Sequence, residues 1–239
     1  MHLPLLITTD LVCPWCRTGL ASLRTALKIY TASHPNTTSS LHFLPFQLDP
    51  SLPSPGLPKS AYLAHRLGSP ATAAAAEARV KAVAKQAGLD VAETSEGATV
   101  GNTLRAHRLV WFAGGEYLGR FKAKGVEGSG TEAREALQGK VVDGLHRAYF
   151  VENKDISLVE TLVDVAQEVG MEERGVREFL ESDEGREEVE RLMDEAVEKG
   201  VRGVPFVEVK GRGVQGGIGV EGWLGAFEKL AQMEREEGK

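Results

Sequence analysis

A Cys-x-x-Cys element at residues 13–16 (Cys-Pro-Trp-Cys) constrains this chain more than any other feature, because it holds both cysteines of the sequence. A short apolar, β-prone segment precedes it at residues 3–9 and predicts a buried strand. Residues 17–30 follow with leucines at near-helical spacing. The sequence therefore predicts a strand and then a helix, with the dithiol on the turn between them and Cys13 at about the helix N-terminus.

The position of the dithiol has a chemical consequence for Cys13. Unpaired backbone N–H groups and the positive end of the helix dipole stabilise a thiolate relative to a thiol. Cys-x-x-Cys motifs at helix starts accordingly lower the pKa of their reactive thiol below that of a free cysteine. Cys16 lies one turn inside the predicted helix, within reach of a mixed disulfide formed at Cys13. We therefore expect Cys13 to be the nucleophile and Cys16 the resolving thiol.

Metal binding and inert packing are the alternatives for this cysteine pair. A structural zinc site needs about four ligands, and the chain has no second cysteine pair. Its histidines lack the short pairwise spacing that is typical of zinc ligands; they are His2, His34, His42, His65, His107 and His146. A packing role would not explain why the only two cysteines fall so close together at a helix start. The sequence therefore favours redox chemistry and predicts no metal site.

Composition and charge argue against several other classes of function. The net charge of −6 offers no basic surface for nucleic acid or for an anionic membrane. No apolar run reaches the ~20 residues that cross a bilayer, and residues 3–7 are too short for a signal-peptide core. A single close cysteine pair without such a signal is typical of a reducing compartment. We therefore expect a cytoplasmic protein that binds neither nucleic acid nor a membrane.

The pattern of elements divides the chain into three parts. Residues 1–55 hold the strand, the dithiol helix and a second strand at 41–48, in which Pro45 indicates a bulge or a sheet edge. Residues 56–199 are helix-like with no convincing strand, and residues 200–239 return to a hairpin and a final amphipathic helix. The flanking parts add up to a thioredoxin-like unit. The sequence therefore predicts an α/β fold, a thioredoxin-like domain with a large all-helical insertion domain.

Two local signals in the helical part mark predicted helix starts. Asn102 is expected to cap a helix that runs through Phe112. Ser157, with Glu160 three residues later, matches a capping box. Both residue types accept hydrogen bonds from the unpaired N–H groups of a first helical turn, so we expect a side-chain cap at each position.

A strand-opening proline in the segment Gly203-Val204-Pro205-Phe206 is the second candidate site element. Proline cannot donate a hydrogen bond to a sheet and often shapes the start of a strand. X-Pro bonds are cis in only about 5–6% of cases. A cis bond is more strongly expected here, because the same thioredoxin-like unit also contains a Cys-x-x-Cys element. A cis Val204–Pro205 bond would bring the Val204 backbone against the dithiol, where a substrate strand could pair with it.

The chain resembles the DsbA-type thioredoxin-like family, specifically its FrnE-like branch, which groups with 2-hydroxychromene-2-carboxylate isomerases and kappa-class glutathione transferases. The similar segments run in the family order over nearly the full length, at residues 10–16, 46–50, 102–109, 148–150, 155–156 and 200–206. Arg17-Thr18-Gly19 departs from the family pattern, which has an aromatic and an aliphatic residue before the glycine. Arg17 adds a positive charge near the thiols, which favours a thiolate.

The resemblance implies roles for individual residues. It carries over Cys13 as nucleophile, Cys16 as resolving thiol and Val204–Pro205 as the cis-proline loop, with the helical insertion covering the dithiol. The residues expected to contact substrate are Pro14, Trp15, Asn102, His107, Val204 and Pro205. A helix cap is the alternative for Asn102, and a hydrogen-bonded packing role is the alternative for His107.

Three functions follow from these observations. The first is a thiol–disulfide oxidoreductase that acts on a protein or small-molecule thiol or disulfide. The second is a glutathione-dependent isomerase or transferase for a small aromatic or polyketide-type molecule, although a serine replaces the first cysteine in those relatives. The third is a non-catalytic binding protein. We expect no bound cofactor, glutathione as the candidate co-substrate, and a monomer or homodimer.

Overall fold

The computed structural model describes residues 1–92, 94–128 and 130–237. Its elements follow in chain order: β1 (His2–Thr9), α1 (Pro14–Ser33), β2 (Thr38–Pro45), β3 (Leu57–Pro58), α2 (Lys59–Leu67), α3 (Pro70–Gln86), β4 (Thr99–Val100), α4 (Leu104–Gly114), α5 (Tyr117–Arg120), α6 (Thr131–Phe150), α7 (Val159–Glu168), α8 (Glu173–Glu181), α9 (Arg186–Glu198), β5 (Phe206–Val209), β6 (Arg212–Gln215) and α10 (Gly219–Glu237). The order of strands and helices agrees with a thioredoxin-like α/β fold that carries a helical insertion.

The main sheet joins the two ends of the chain, in the strand order β2-β1-β5-β6. Strand β1 runs parallel to β2 and antiparallel to β5. It is an inner strand, and this explains its apolar sequence, since Leu3, Leu5 and Ile7 are almost completely buried. Strand β2 forms one edge of the sheet and ends at Pro45. Of the two alternatives predicted for this proline, a bulge or a sheet edge, the structure has the edge.

Helices α1 and α10 pack against each other and bring the dithiol helix into the core. The Tyr30 ring on α1 lies 5.4 Å from the Phe227 ring on α10, centroid to centroid. Trp223, one turn before Phe227, is fully buried and stacks on it. This aromatic contact holds α1 in place against α10. It therefore also helps to position the N-terminus of α1, where the dithiol lies.

The helical part is joined to the sheet at the free edge of β2. The side-chain amide of Gln138 on α6 accepts a hydrogen bond from the Phe43 N–H at 3.0 Å and donates one to the Phe43 carbonyl at 3.2 Å. Gln138 thus gives the edge strand the partners that a further strand would supply. Helix α9, the last helix before β5, also contacts β2. One hydrophobic cluster runs through both parts of the chain, and the division at residues 56 and 199 stays a prediction.

Two sequence-based expectations in the helical part are wrong. Strands β3 and β4 form a short antiparallel ladder in which Leu57 pairs with Val100, where no strand was expected. Two-residue strands are too short to leave a periodic pattern in a sequence. The expected capping box is also wrong, because helix α7 begins only at Val159 and the buried Ser157 hydroxyl has no hydrogen-bond partner in the described part of the chain. The Asp155 carboxylate organises this turn instead, accepting hydrogen bonds from the Ser157 and Gly56 N–H groups.

Among the described residues, no helix combines the length and the apolar character that crossing a bilayer requires.

Candidate active site

The two cysteines lie where the sequence places them, at the junction of β1 and α1. Cys13 is the N-cap residue of α1, with an extended backbone, and Pro14 occupies the first helical position. The Cys13 carbonyl accepts hydrogen bonds from the N–H groups of Cys16 at 3.1 Å and Arg17 at 3.3 Å. Both cysteines are free thiols and are almost completely buried. The helix start therefore presents a reduced dithiol whose backbone is ordered by its own first turn.

The two thiols differ strongly in acidity. A hydrogen bond from the Cys16 thiol is the largest factor that lowers the pKa of Cys13, and the backbone N–H groups of Cys16 and Trp15 add to it. Burial and the charge of Asp10 oppose this shift without reversing it. Burial is the largest factor that raises the pKa of Cys16 well above its usual range, followed by its hydrogen bond to Cys13 and the Cys13 charge. The site thus favours a thiolate at Cys13 and a thiol at Cys16.

Arg17 contributes less to the thiols than the sequence suggested. Its guanidinium donates a hydrogen bond to the Asp90 carbonyl at 2.5 Å and lies over the Phe150 ring, 5.5 Å from the centroid. The groups that lower the pKa of Cys13 are the neighbouring thiol and backbone N–H groups. Arg17 therefore ties α1 to the insertion, and the Cys-x-x-Cys turn itself supplies the stabilisation of the thiolate.

The Val204–Pro205 loop lies directly beside Cys13. Its peptide bond is cis, as predicted, and the Cys13 sulfur is 3.7 Å from the Val204 carbonyl oxygen. Gly19 on α1 allows this close approach, since a Cβ atom there would come within 2.7 Å of the Gly216 carbonyl oxygen and 3.1 Å of Pro205 Cγ. The Pro205 carbonyl accepts a hydrogen bond from the Gly216 N–H at 2.9 Å. The loop is thus held from both sides against the dithiol.

Asn102 and His107 have structural partners and do not line the cavity at the dithiol. The Asn102 side-chain oxygen accepts a hydrogen bond from the Leu104 N–H at 2.9 Å at the start of α4. Its amide group donates to the Pro50 carbonyl at 2.9 Å. His107 is 2% exposed, and its Nε2 atom lies 3.0 Å from the Phe46 carbonyl oxygen. The N-cap residue of α4 is Thr103, so the predicted cap position at Asn102 is wrong by one residue, although the Asn102 side chain accepts the N–H of the first helical residue. The partners of Asn102 and His107 favour structural roles over the substrate contacts that were expected of them.

His107 belongs to a buried pair that spacing in the sequence could not reveal. Its Nε2 atom lies 3.6 Å from Oδ1 of Asp10, three residues before Cys13. The other carboxylate oxygen of Asp10 accepts a hydrogen bond from the Leu48 N–H at 2.8 Å, while Oδ1 is buried without a hydrogen-bond partner among the described residues. The pair places a carboxylate and an imidazole in the core behind the dithiol.

A cavity of about 620 Å³ opens beside Cys13. Its floor includes Pro14 and Trp15 of the dithiol turn, its roof is the hairpin of α2 and α3, and Tyr149 and Phe150 close it at the end of α6. Trp15 is 37% exposed, and the Arg79 guanidinium on α3 lies 5.4 Å from its ring centroid. These helices therefore cover part of the dithiol face, as the resemblance implied, and they border a partly open chamber.

Comparison with known proteins agrees with this geometry. The family model described as a DSBA-like thioredoxin domain matches residues 5–126 and 129–228. The chain belongs to the DSBA-like thioredoxin domain family. No curated protein matches it.

This DSBA-like domain matches solved structures over nearly its full length. A probable DsbA oxidoreductase from Streptomyces coelicolor is 26% identical, with a TM-score of 0.78 over 95% of this chain and 89% of its own. The cytosolic disulfide reductase DsbM from Pseudomonas aeruginosa with GSH is 18% identical, with a TM-score of 0.58 over 96% and 100%. A 2-hydroxychromene-2-carboxylate isomerase is 14% identical, with a TM-score of 0.61 over 98% of both chains. The last two likenesses show the fold alone.

Sequence reasoning about this DSBA-like domain missed the residues that form the chamber. Lys59, Tyr62 and Tyr149 line it from segments far apart in the chain. Of these three, Tyr149 alone had a signal in the sequence, because residues 148–150 are among the segments that resemble the family. No role was assigned to it. The four predicted contacts that do lie at the dithiol are Pro14, Trp15, Val204 and Pro205.

Proposed function

We propose that this DSBA-like protein is a thiol–disulfide oxidoreductase in which Cys13 is the nucleophile and Cys16 the resolving thiol. One observation carries the proposal: Cys13 is the N-cap of α1, and its sulfur lies 3.7 Å from the Val204 carbonyl of the cis-proline loop. The directions of the two pKa shifts, lowered at Cys13 and raised at Cys16, support it. A low pKa at the first thiol keeps the attacking sulfur ionised. A high pKa at the second keeps Cys16 protonated until a mixed disulfide has formed.

The reaction follows from this arrangement. The Cys13 thiolate attacks one sulfur of a substrate disulfide, forming a mixed disulfide and releasing the first substrate thiol. Cys16 then loses its proton and attacks the Cys13 sulfur, which releases the second substrate thiol and leaves a Cys13–Cys16 disulfide. The substrate gains two electrons and the protein loses two. In the opposite direction the oxidised pair accepts electrons from a substrate dithiol.

The Val204 carbonyl supports a role for the proline loop in substrate binding. It lies beside the Cys13 sulfur, at the end of a loop that leads into β5. An extended substrate segment that presents sulfur to Cys13 would run past this backbone and could exchange hydrogen bonds with it. Trp15, half-exposed on the other side of Cys13, would form the opposing contact.

Trapping of mixed disulfides tests the roles of the two cysteines. Cys16→Ser should accumulate mixed disulfides at Cys13, visible by non-reducing electrophoresis and mass spectrometry, and Cys13→Ser should accumulate none. In glutathione buffers the wild-type pair should show a two-electron couple between roughly −270 and −120 mV. Absence of a reversible couple, or activity that survives in Cys13→Ser, would contradict the proposal.

A glutathione-dependent isomerase or transferase is the second candidate, and the chamber beside Cys13 is the observation that favours it. The fold is shared with an isomerase and with a disulfide reductase whose structure contains GSH. Glutathione is therefore the first co-substrate to test, and a cytoplasmic location is proposed with it. Glutathione-dependent turnover that is unchanged in Cys16→Ser would favour the isomerase or transferase over the dithiol mechanism.

A further inference from the structure

Lys59 at the start of α2 places a positive charge in the chamber beside the dithiol. Its ammonium lies 4.7 Å from the ring centroid of Tyr149 and 5.9 Å from that of Phe150. The Lys59 N–H donates to the Ala98 carbonyl at 2.9 Å, which fixes the backbone from which the side chain projects. Burial lowers the pKa of Lys59. The ammonium thus faces two aromatic rings in a place where water is partly excluded.

Among the described residues, no carboxylate lies within ion-pair distance of this ammonium. Within the described parts of the chain, Lys59 forms no ion pair. Glu77 attracts it from beyond ion-pair distance, and Lys81 repels it. The Glu77 carboxylate already accepts a hydrogen bond from the Thr94 hydroxyl. A partly desolvated cation whose closest described partners are two aromatic rings leaves room for an anion that comes from outside the chain.

The other cations that line the chamber have partners of their own. Arg66 lies 3.5 Å from the Asp49 carboxylate and donates a hydrogen bond to the Tyr62 hydroxyl. Arg79 lies over the Trp15 ring. The remaining walls are mostly apolar and include Leu63, Val80 and Phe150. A volume of about 620 Å³ with apolar walls and few polar groups is typical of a site for a small organic molecule.

Building on the proposed oxidoreductase function, we propose that the chamber selects a small-molecule disulfide with an apolar, aromatic body and a carboxylate that pairs with Lys59. The aromatic body packs against Tyr149 and the apolar walls, and the disulfide reaches Cys13 at the chamber floor. The Cys13 thiolate breaks the substrate S–S bond, one aryl thiolate leaves, and Cys16 then displaces the second. The substrate is reduced to two thiols and the protein is oxidised, and a dithiol reductant returns it to the starting state.

A matched pair of substrates tests the role of the carboxylate. The disulfide of thionitrobenzoic acid carries an aromatic ring with a carboxylate, and its bis-amide has the same ring without the charge. Both release a coloured thiolate when they are reduced. Single turnovers of the pre-reduced protein, freed of other thiols that would reduce the aryl disulfides directly, give a maximal rate (kcat) and a half-saturating concentration (KM) for each substrate. Lys59→Met should raise KM for the acid about tenfold or more, the effect of losing a charged hydrogen bond. KM for the amide should not change, and Lys59→Arg should have nearly the wild-type KM for the acid.

Lys28→Met, at an exposed position on α1, controls for the loss of one positive charge and should behave as wild type. An equal effect of Lys59→Met on both substrates, or on neither, would overturn the inference. A lower KM for oxidised glutathione than for the aryl acid would also overturn it, because glutathione lacks the aromatic body. If wild type turns over neither aryl disulfide while Cys16→Ser still traps mixed disulfides, the inference fails and the proposed function stands. Loss of the trapping itself would sink the proposed function.

Discussion

The Cys13 sulfur lies 3.7 Å from the carbonyl oxygen of Val204, a residue 191 positions further along the chain. The contact is made because β5 pairs with β1 and so returns the loop in front of β5 to the end of β1. Gly19 lets α1 approach Pro205 and the backbone of Gly216, and Gly216 itself has no side chain that would clash with Pro205. The reactive sulfur and the backbone proposed to bind its substrate are therefore positioned by the same sheet.

Gly19→Ala should destabilise the protein and disturb the loop at Pro205. The new Cβ would lie 2.7 Å from the Gly216 carbonyl oxygen, a backbone atom that cannot move aside alone. Overpacking of this kind costs roughly 1–3 kcal/mol, which urea unfolding can measure. Gly139→Ala on α6 is the matched helical control, since its nearest neighbour is a flexible Arg24 side chain at 3.7 Å. The control should be neutral or stabilising, by up to about 1 kcal/mol. Equal effects of the two variants would contradict the packing argument.

Cys16→Ala should raise the pKa of Cys13. The hydrogen bond from the Cys16 thiol is the largest factor that lowers this pKa, and alanine removes the donor. The rate of Cys13 alkylation by iodoacetamide follows the thiolate fraction, so its pH midpoint should move upward and the rate at neutral pH should fall. Cys16→Ser retains a hydroxyl donor and should lie between wild type and Cys16→Ala. A midpoint that does not change in Cys16→Ala would show that the backbone N–H groups alone account for the lowered pKa of Cys13.

Asp10→Asn should lower the pKa of Cys13 further. The charge of Asp10 raises this pKa, and asparagine removes the charge while it keeps an oxygen for the Leu48 N–H. The midpoint of Cys13 alkylation should therefore shift to lower pH, and the disulfide form should become more oxidising, because stabilising the thiolate favours the reduced state. Both quantities are measured on the same sample. A shift of the midpoint to higher pH would mean that Asp10 acts on Cys13 through structure rather than charge.

His146 should make the protein less stable in mild acid. Burial lowers its pKa from 6.5 to about 3, so between these values the unfolded chain binds a proton that the folded chain does not. Stability therefore falls as pH decreases from about 6.5 towards 3. His146→Leu should lose less stability over this range, since the buried Nε2 atom has no hydrogen-bond partner among the described residues. Urea unfolding at several pH values measures the difference, and His65→Leu at an exposed position is the control. Parallel pH profiles for wild type and His146→Leu would contradict this assignment.

The parts of the fold that sequence could predict are those encoded by short, local patterns. The buried strand, the dithiol at a helix start and the proline before β5 each show within a few neighbouring residues. The fold class followed from their order. Helix α1 begins at Pro14 with Cys13 as its N-cap, which confirms the predicted helix start, because proline fits the first helical turn.

The parts that sequence could not predict depend on residues that meet only after folding. Asp10 and His107 form a buried pair across 97 positions, and neither residue type nor spacing indicates it. Lys59 at the start of α2 and Tyr149 near the end of α6 meet in a cation–π contact across 90 positions of the chain. Ser157 matches a capping pattern, yet Asp155 organises the turn and moves the helix start past it. Local sequence patterns do not indicate which of two nearby side-chain acceptors the backbone N–H groups will use.

The strand order β2-β1-β5-β6 also governs the time at which the site comes into existence during synthesis. The dithiol leaves the ribosome before Val204, which is made 191 residues later. At translation rates of roughly 5–20 residues per second, the interval is about 10–40 s. Throughout that interval, β1 lacks its second neighbour and Cys13 lacks the loop that later covers it. The oxidation state of the nascent cysteines is therefore set by the solution around the ribosome, before the fold can influence it.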